Sequence, residues 1–144
     1  MSEKTLWDWI NKKMKGQGGW EGHRIENCSS KGIPDAVVSM VVNNARYSTF
    51  IELKDWSEKN KHPLSVDQKN FLEAFGGIVL VKVSKEEIRA HYGEVDPLLT
   101  CDLEWAKSHG IKIDMKKPLP KIMAGAIVEN SYWWRTAIDS GFKE

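Results

Sequence analysis

The chain has 144 residues, 41% hydrophobic and 28% charged, which suits one folded domain with a single core and excludes a disordered chain. Its net charge of +1 at pH 7 neither points to nucleic acid nor excludes it, because a balanced chain can still carry a basic face. No run approaches the roughly 18 apolar residues of a membrane span. The first residues also lack the charged-then-apolar layout of a signal peptide, so the expectation is a cytoplasmic protein without membrane contacts.

The two cysteines, Cys28 and Cys101, have neither metal-ligand spacing nor the density of a disulfide scaffold, and read as free thiols. Seven tryptophans are many for this length. Filling a small core is their simplest use, and an oligomer interface or ligand groove is the alternative.

Residues 3–15 predict a helix, with Leu6, Trp9, Ile10 and Met14 at helical spacing and Gly16 to end it. Residues 23–27 alternate as a short strand. Residues 36–42 and 47–53 are apolar and β-branched, and Asn43-Asn44 between them predicts a hairpin. A charged loop over 55–62 leads to a helix over 64–75, capped by Ser65 and stopped by Gly76-Gly77. The apolar run 78–83 predicts a buried strand, and strand–helix–strand order implies a parallel pair. Short helices are expected over 84–92 and 102–109, a loop over 116–121 and a last helix over 129–138. The fold class is therefore α/β, a mixed central sheet with flanking helices. All 144 residues form one domain, with a core over about 20–84 and a helical extension over about 85–144.

Residues two apart in a strand share a face, so Glu52 and Lys54 point the same way and Leu53 points oppositely into the core. Charges on an inner strand are costly unless paired or metal-bound. Asp35 opens the neighbouring strand and can come alongside. Two carboxylates and an ammonium at one strand edge form a hard-oxygen site of the kind Mg²⁺ or Mn²⁺ prefers, with Asp35, Glu52 and the Leu53 carbonyl as metal ligands. Lys54 would orient or help deprotonate a water, or stabilise charge on a phosphate.

Gly32-Ile33-Pro34-Asp35, a spacer of 16 residues, and Glu52-Leu53-Lys54 resemble the signature of the PD-(D/E)xK nuclease superfamily. Ser65-Val66-Asp67-Gln68 resembles the S-x-x-Q of its VRR-NUC branch, which includes small phage nucleases and is related to Holliday-junction resolvases. The resemblance covers roughly residues 24–83. It implies a restriction-endonuclease-like core with a four- or five-stranded sheet, and Mg²⁺- or Mn²⁺-dependent cleavage of DNA, with structured or branched DNA suggested by the resolvases. It also implies a catalytic Gln68 reaching toward the metal-bound water or the phosphate. A homodimer or higher homo-oligomer follows by analogy with resolvases, as does a bacterial host cytoplasm if the chain is phage-encoded. An upstream acidic ligand is expected, and Glu26 is favoured over Glu3 and Asp8.

Lys59, Lys61, His62 and Lys69 follow the catalytic strand and are candidate nucleic-acid contacts, against the plainer reading of a solvated face. Lys112, Lys116, Lys117 and Lys121 carry the same ambiguity. His23, His62, His91 and His109 show no zinc-ligand spacing. Tyr132-Trp133-Trp134-Arg135 could stack on bases, with core packing or a dimer contact as the plainer use. Two rival functions remain: an inactive module that binds nucleic acid or protein, and a phage-type inhibitor or interaction protein acting through the residues after Pro97.

Overall fold

A computed structural model describes residues 3–25 and 31–131. Its elements in chain order are α1 (Glu3–Met14), β1 (Glu21–Arg24), β2 (Ala36–Val42), β3 (Ala45–Asp55), α2 (Val66–Phe75), β4 (Ile78–Lys82), β5 (Glu87–His91), α3 (Leu103–Ser108), β6 (Ile111–Asp114) and α4 (Pro120–Asn130), with a 3-10 turn at Asp96–Leu99. The six strands form one sheet in sequence order. Every neighbouring pair is antiparallel except β3 and β4, which are parallel. The expected α/β class with a mixed sheet and flanking helices is thus observed.

The β2–β3 hairpin turns on Asn43 and Asn44, both at positive φ (52° and 65°), with Val42 opposite Ala45. That is the two-residue turn whose twist matches the strands, and asparagine tolerates it. The strand–helix–strand unit forms because α2 is closed by a capping box at Ser65, and Gly76 at φ 78° ends it.

Alternation along the strands divides the core into two layers. Leu6, Trp7, Ile10 and Met14 of α1 and Met123, Ala126 and Ile127 of α4 pack on Ala36, Val38, Met40, Ile51 and Leu53. Burying the leucine, isoleucine, valine and methionine side chains among these contributes roughly 1.5–3 kcal/mol each. On the other face Leu72 of α2, Ala106 of α3, and Trp56, Leu64 and Leu98 cover Val79 and Val81. Trp7 and Trp56 are core tryptophans, whereas Trp9, Trp20 and Trp105 are half-buried. Among the described residues no helix is long and apolar enough to cross a membrane.

Three expectations are corrected. The first strand lies at Glu21–Arg24 rather than 23–27. The helix expected over 84–92 is strand β5. Ser84 and Glu87 mimic a helix cap in sequence, but they close a turn in which the Val83 N–H donates to the Glu87 carbonyl, and Ile88 and Ala90 then alternate into the α1/α4 layer. Among the described residues, those beyond 84 therefore extend the sheet by β5 and the unexpected β6, which makes six strands instead of four or five. Helix α4 begins at Pro120, inside the stretch 116–121 expected to be a loop, because proline suits a first helical turn. Most of the helix expected over 129–138, with Trp133 and Trp134, lies outside the described residues, as does Cys28. Cys101 is a free, exposed thiol.

Candidate active site

Gly32 stands at φ 81° and packs so closely on the first turn of α2 that a Cβ there would lie 2.5 Å from the Asp67 main chain. A glycine at this position lets the Gly-Ile-Pro-Asp segment lie against the start of α2. Two hydrogen bonds then fix Asp35. Its carbonyl accepts from the Ile25 N–H at 2.7 Å, and its carboxylate Oδ2 accepts from the Leu53 N–H at 2.7 Å. Asp35 thereby replaces, with its side chain, the strand partner that Leu53 lacks beyond the start of β2. A strand residue's N–H and C=O point the same way, so the Leu53 carbonyl also faces the Asp35 side.

Glu52 is 2% exposed and Lys54 6% exposed, both on the face of β3 that α2 covers. Gln68 connects the helix to this face. Its side-chain Oε1 accepts from the Ser65 N–H at 2.9 Å, completing the capping box, and its Nε2 donates to the two oxygens of Glu52 at 3.2 and 3.3 Å. The resemblance implies that Gln68 reaches for water or phosphate; here its amide is engaged with Glu52.

The Asp35 and Glu52 carboxyls stand close enough to share a proton. Burial, followed by the hydrogen bond and charge of Asp35, pushes the Glu52 carboxyl up to about 9, while Lys54 pulls the other way. A buried carboxyl held against a half-buried one is an arrangement that a cation relieves. Among the described residues no three histidine, cysteine or acidic side chains gather as a metal cage. The donor set is two carboxylates and a main-chain carbonyl. Mg²⁺ keeps several of its waters and is commonly held by one or two carboxylates plus substrate phosphate, so these residues fit it.

Among the described residues, Glu3 is a further acidic group nearby. Its carboxyl is raised by burial and by Asp35, and lowered by Lys54, His62 and Arg24, which places the start of α1 among the site residues. Asp8 is exposed on the outer side of α1, and Glu26 lies outside the described residues. The helical spacing 3, 6, 10, 14 sets Glu3 on the same stripe as Leu6, Ile10 and Met14, so its inward direction was readable from the periodicity. Glu3, Arg24, Asp55 and His62 also line a cleft of about 450 Å³ next to the carboxylate pair. Arg24 was not among the expected site residues, since a single arginine on a short polar strand carries no signal of its own.

The basic candidates separate. His62 is exposed at the cleft, and its carbonyl accepts from the indole N–H of buried Trp56 at 2.9 Å, which anchors the loop. Lys59 is exposed and Lys61 half-buried on that loop. Lys69 is instead paired with Asp96 at 3.0 Å and Glu73 at 3.5 Å. In the second basic group, Lys112 and Lys116 pair with Glu87 and Glu86. Comparison of the chain with protein-family models, with curated proteins and with solved structures finds no match.

Proposed function

We propose that the protein is a Mg²⁺- or Mn²⁺-dependent nuclease that hydrolyses phosphodiester bonds in DNA, with Asp35, Glu52 and Lys54 at its centre and the PD-(D/E)xK resemblance as its family reading. The observation that carries this reading is the buried Glu52 carboxyl, held by Gln68 beside Asp35 on the face that presents Lys54. Asp35, Glu52 and the Leu53 carbonyl would hold the cation, with Glu3 as the nearby further acid. A bound divalent cation supplies a nucleophilic water at neutral pH and neutralises charge on the phosphate. Lys54 places an ammonium where negative charge grows on the phosphate, or orients the attacking water. Gln68 fixes Glu52 in one rotamer, so the carboxylate need not reorganise. The cleft lined by Arg24 and His62 gives a flanking phosphate or nucleoside room beside the centre.

The test is cleavage of linear, single-stranded, supercoiled and four-way-junction DNA with Mn²⁺ by the wild type, Asp35→Ala and Lys54→Ala. Cutting that both variants lose supports the reading, and the preferred substrate names the subclass. Equal cutting by all three would sink it and favour an inactive binding module.

A further inference from the structure

The face of β3 that bears Glu52 and Lys54 does not stop at the carboxylates. Going back along the strand, the same face presents Phe50, Ser48 and Arg46. The pairing across to β2 confirms this, because the Arg46 guanidinium and the Ser48 hydroxyl both donate to Ser39 Oγ, at 3.0 and 3.1 Å. Helix α2 covers only the far end of this stripe. Its Phe71 packs edge-on to Phe50, with centroids 5.0 Å apart, and Phe75 packs on Phe71 at 4.6 Å. Phe75 is 52% exposed, and Arg46 and Ser48 are also exposed. An aromatic ladder therefore starts one side chain from Glu52 and ends with an open ring. A hydroxyl and a guanidinium continue the path, over about 20 Å of strand from Glu52 to Arg46. Near its open end this face also carries Glu21, opposite Ser39 on β1, which is engaged with His23 at 2.9 Å.

We infer that this stripe is a binding track for single-stranded DNA, with an unpaired base stacked on Phe75 and the backbone running past Ser48 to Arg46. Three features select this occupant. The track is continuous with the phosphodiester centre on one strand face. Its charge at the open end is cationic, which suits a phosphate. Its rings need an exposed π-face, which a single strand offers and a duplex keeps stacked inside. The inference rests on the nuclease reading for what lies at the track's end, but binding can be measured without cleavage.

The test is fluorescence anisotropy of labelled oligothymidylate and of a duplex of the same length, in EDTA, with wild type, Phe75→Ala, Phe75→Trp and Arg46→Lys. The expected result is tighter binding of the single strand, lost roughly tenfold in Phe75→Ala, as for removal of one stacked base. Phe75→Trp restores binding, and the Arg46→Lys variant keeps most of it. Unchanged binding in Phe75→Ala, or a wild-type preference for duplex, overturns the track. So does a wild-type dimer that Phe75→Ala turns into monomer, since the ring would then serve a second copy. If the wild type cuts DNA and only the Phe75 effect is missing, the nuclease reading stands and the track falls. If nothing is cut but the Phe75 effect is present, the reverse holds.

Discussion

The Gln68 amide joins two roles that the chain keeps separate in sequence. It closes the cap of α2 at Ser65, and it donates to both oxygens of Glu52, sixteen residues earlier. The start of the helix and the position of the buried carboxylate are therefore one structural unit. Gln68→Ala should lower stability by about 1 kcal/mol through loss of the cap, read as a shifted urea midpoint. It should also reduce Mn²⁺-supported cleavage roughly 10- to 100-fold, as for loss of an outer partner of a metal ligand. A variant with the stability loss but unchanged cleavage would show that Gln68 is only a cap.

The Glu52 carboxyl sets a pH dependence of stability. Its value is raised in the fold, from 4.5 to about 9, so the folded protein holds a proton that the unfolded chain releases. The stabilising proton is fully retained below about 4.5, and its contribution is lost progressively as pH rises through 9. In EDTA the denaturation midpoint should fall from pH 5 to pH 9, and Glu52→Gln should flatten that fall. A cation competes with this proton, so the rise in Tm on adding Mn²⁺ should grow with pH over the same interval. A Mn²⁺ effect that is absent or independent of pH would argue against a metal at Asp35 and Glu52.

Lys54 is not a metal ligand in the proposed arrangement, which separates its two possible effects. Lys54→Ala should cut the cleavage rate roughly 10²- to 10³-fold, as for loss of one transition-state donor. It should preserve a Mn²⁺-dependent Tm rise in thermal melts. Losing that rise along with the activity would assign Lys54 to holding the carboxylates in place.

Gly32→Ala places a Cβ 2.5 Å from the Asp67 main chain, on a residue at φ 81°. Both effects strain the segment that carries Asp35. The expected cost is roughly 1–3 kcal/mol in chemical denaturation, with loss of cleavage greater than that of an equally destabilised variant elsewhere. Wild-type stability and activity would show that this segment can move without cost.

His91 sets the acid limb of stability. It is 3% exposed, its Nε2 has no hydrogen-bond partner among the described residues, and its ring stacks on Trp105 at 5.3 Å. Burial, then Arg89 and His109, lower it from 6.5 to about 4. Its neutral form favours the fold, so this contribution is present above 6.5 and lost as pH falls through 4. His91→Phe keeps the ring stack and should flatten the decline in thermal midpoint between pH 6.5 and 4. An unchanged decline would place the acid sensitivity elsewhere.

Local chemistry made much of this protein legible from its sequence. The Asn43-Asn44 hairpin, the Ser65 cap, the apolar run at β4, and the shared face of Glu52 and Lys54 follow from turn preferences, capping and strand period, which act over a few residues. The helical stripe also aimed Glu3 inward. What lay inward of it was not readable, because the meeting of Glu3 with Asp35, Lys54 and Arg24 depends on how α1 lies on the sheet. Strand β5 was misread because a Ser–Glu spacing suits a helix cap and a turn equally, and only the open edge of β4, which pairs with it, favours the strand. The raised Glu52 carboxyl belongs wholly to the tertiary structure. A carboxylate in sequence carries no burial, and it is the packing of α2 over β3, with Asp35 drawn to the Leu53 N–H, that removes water and sets two acids side by side.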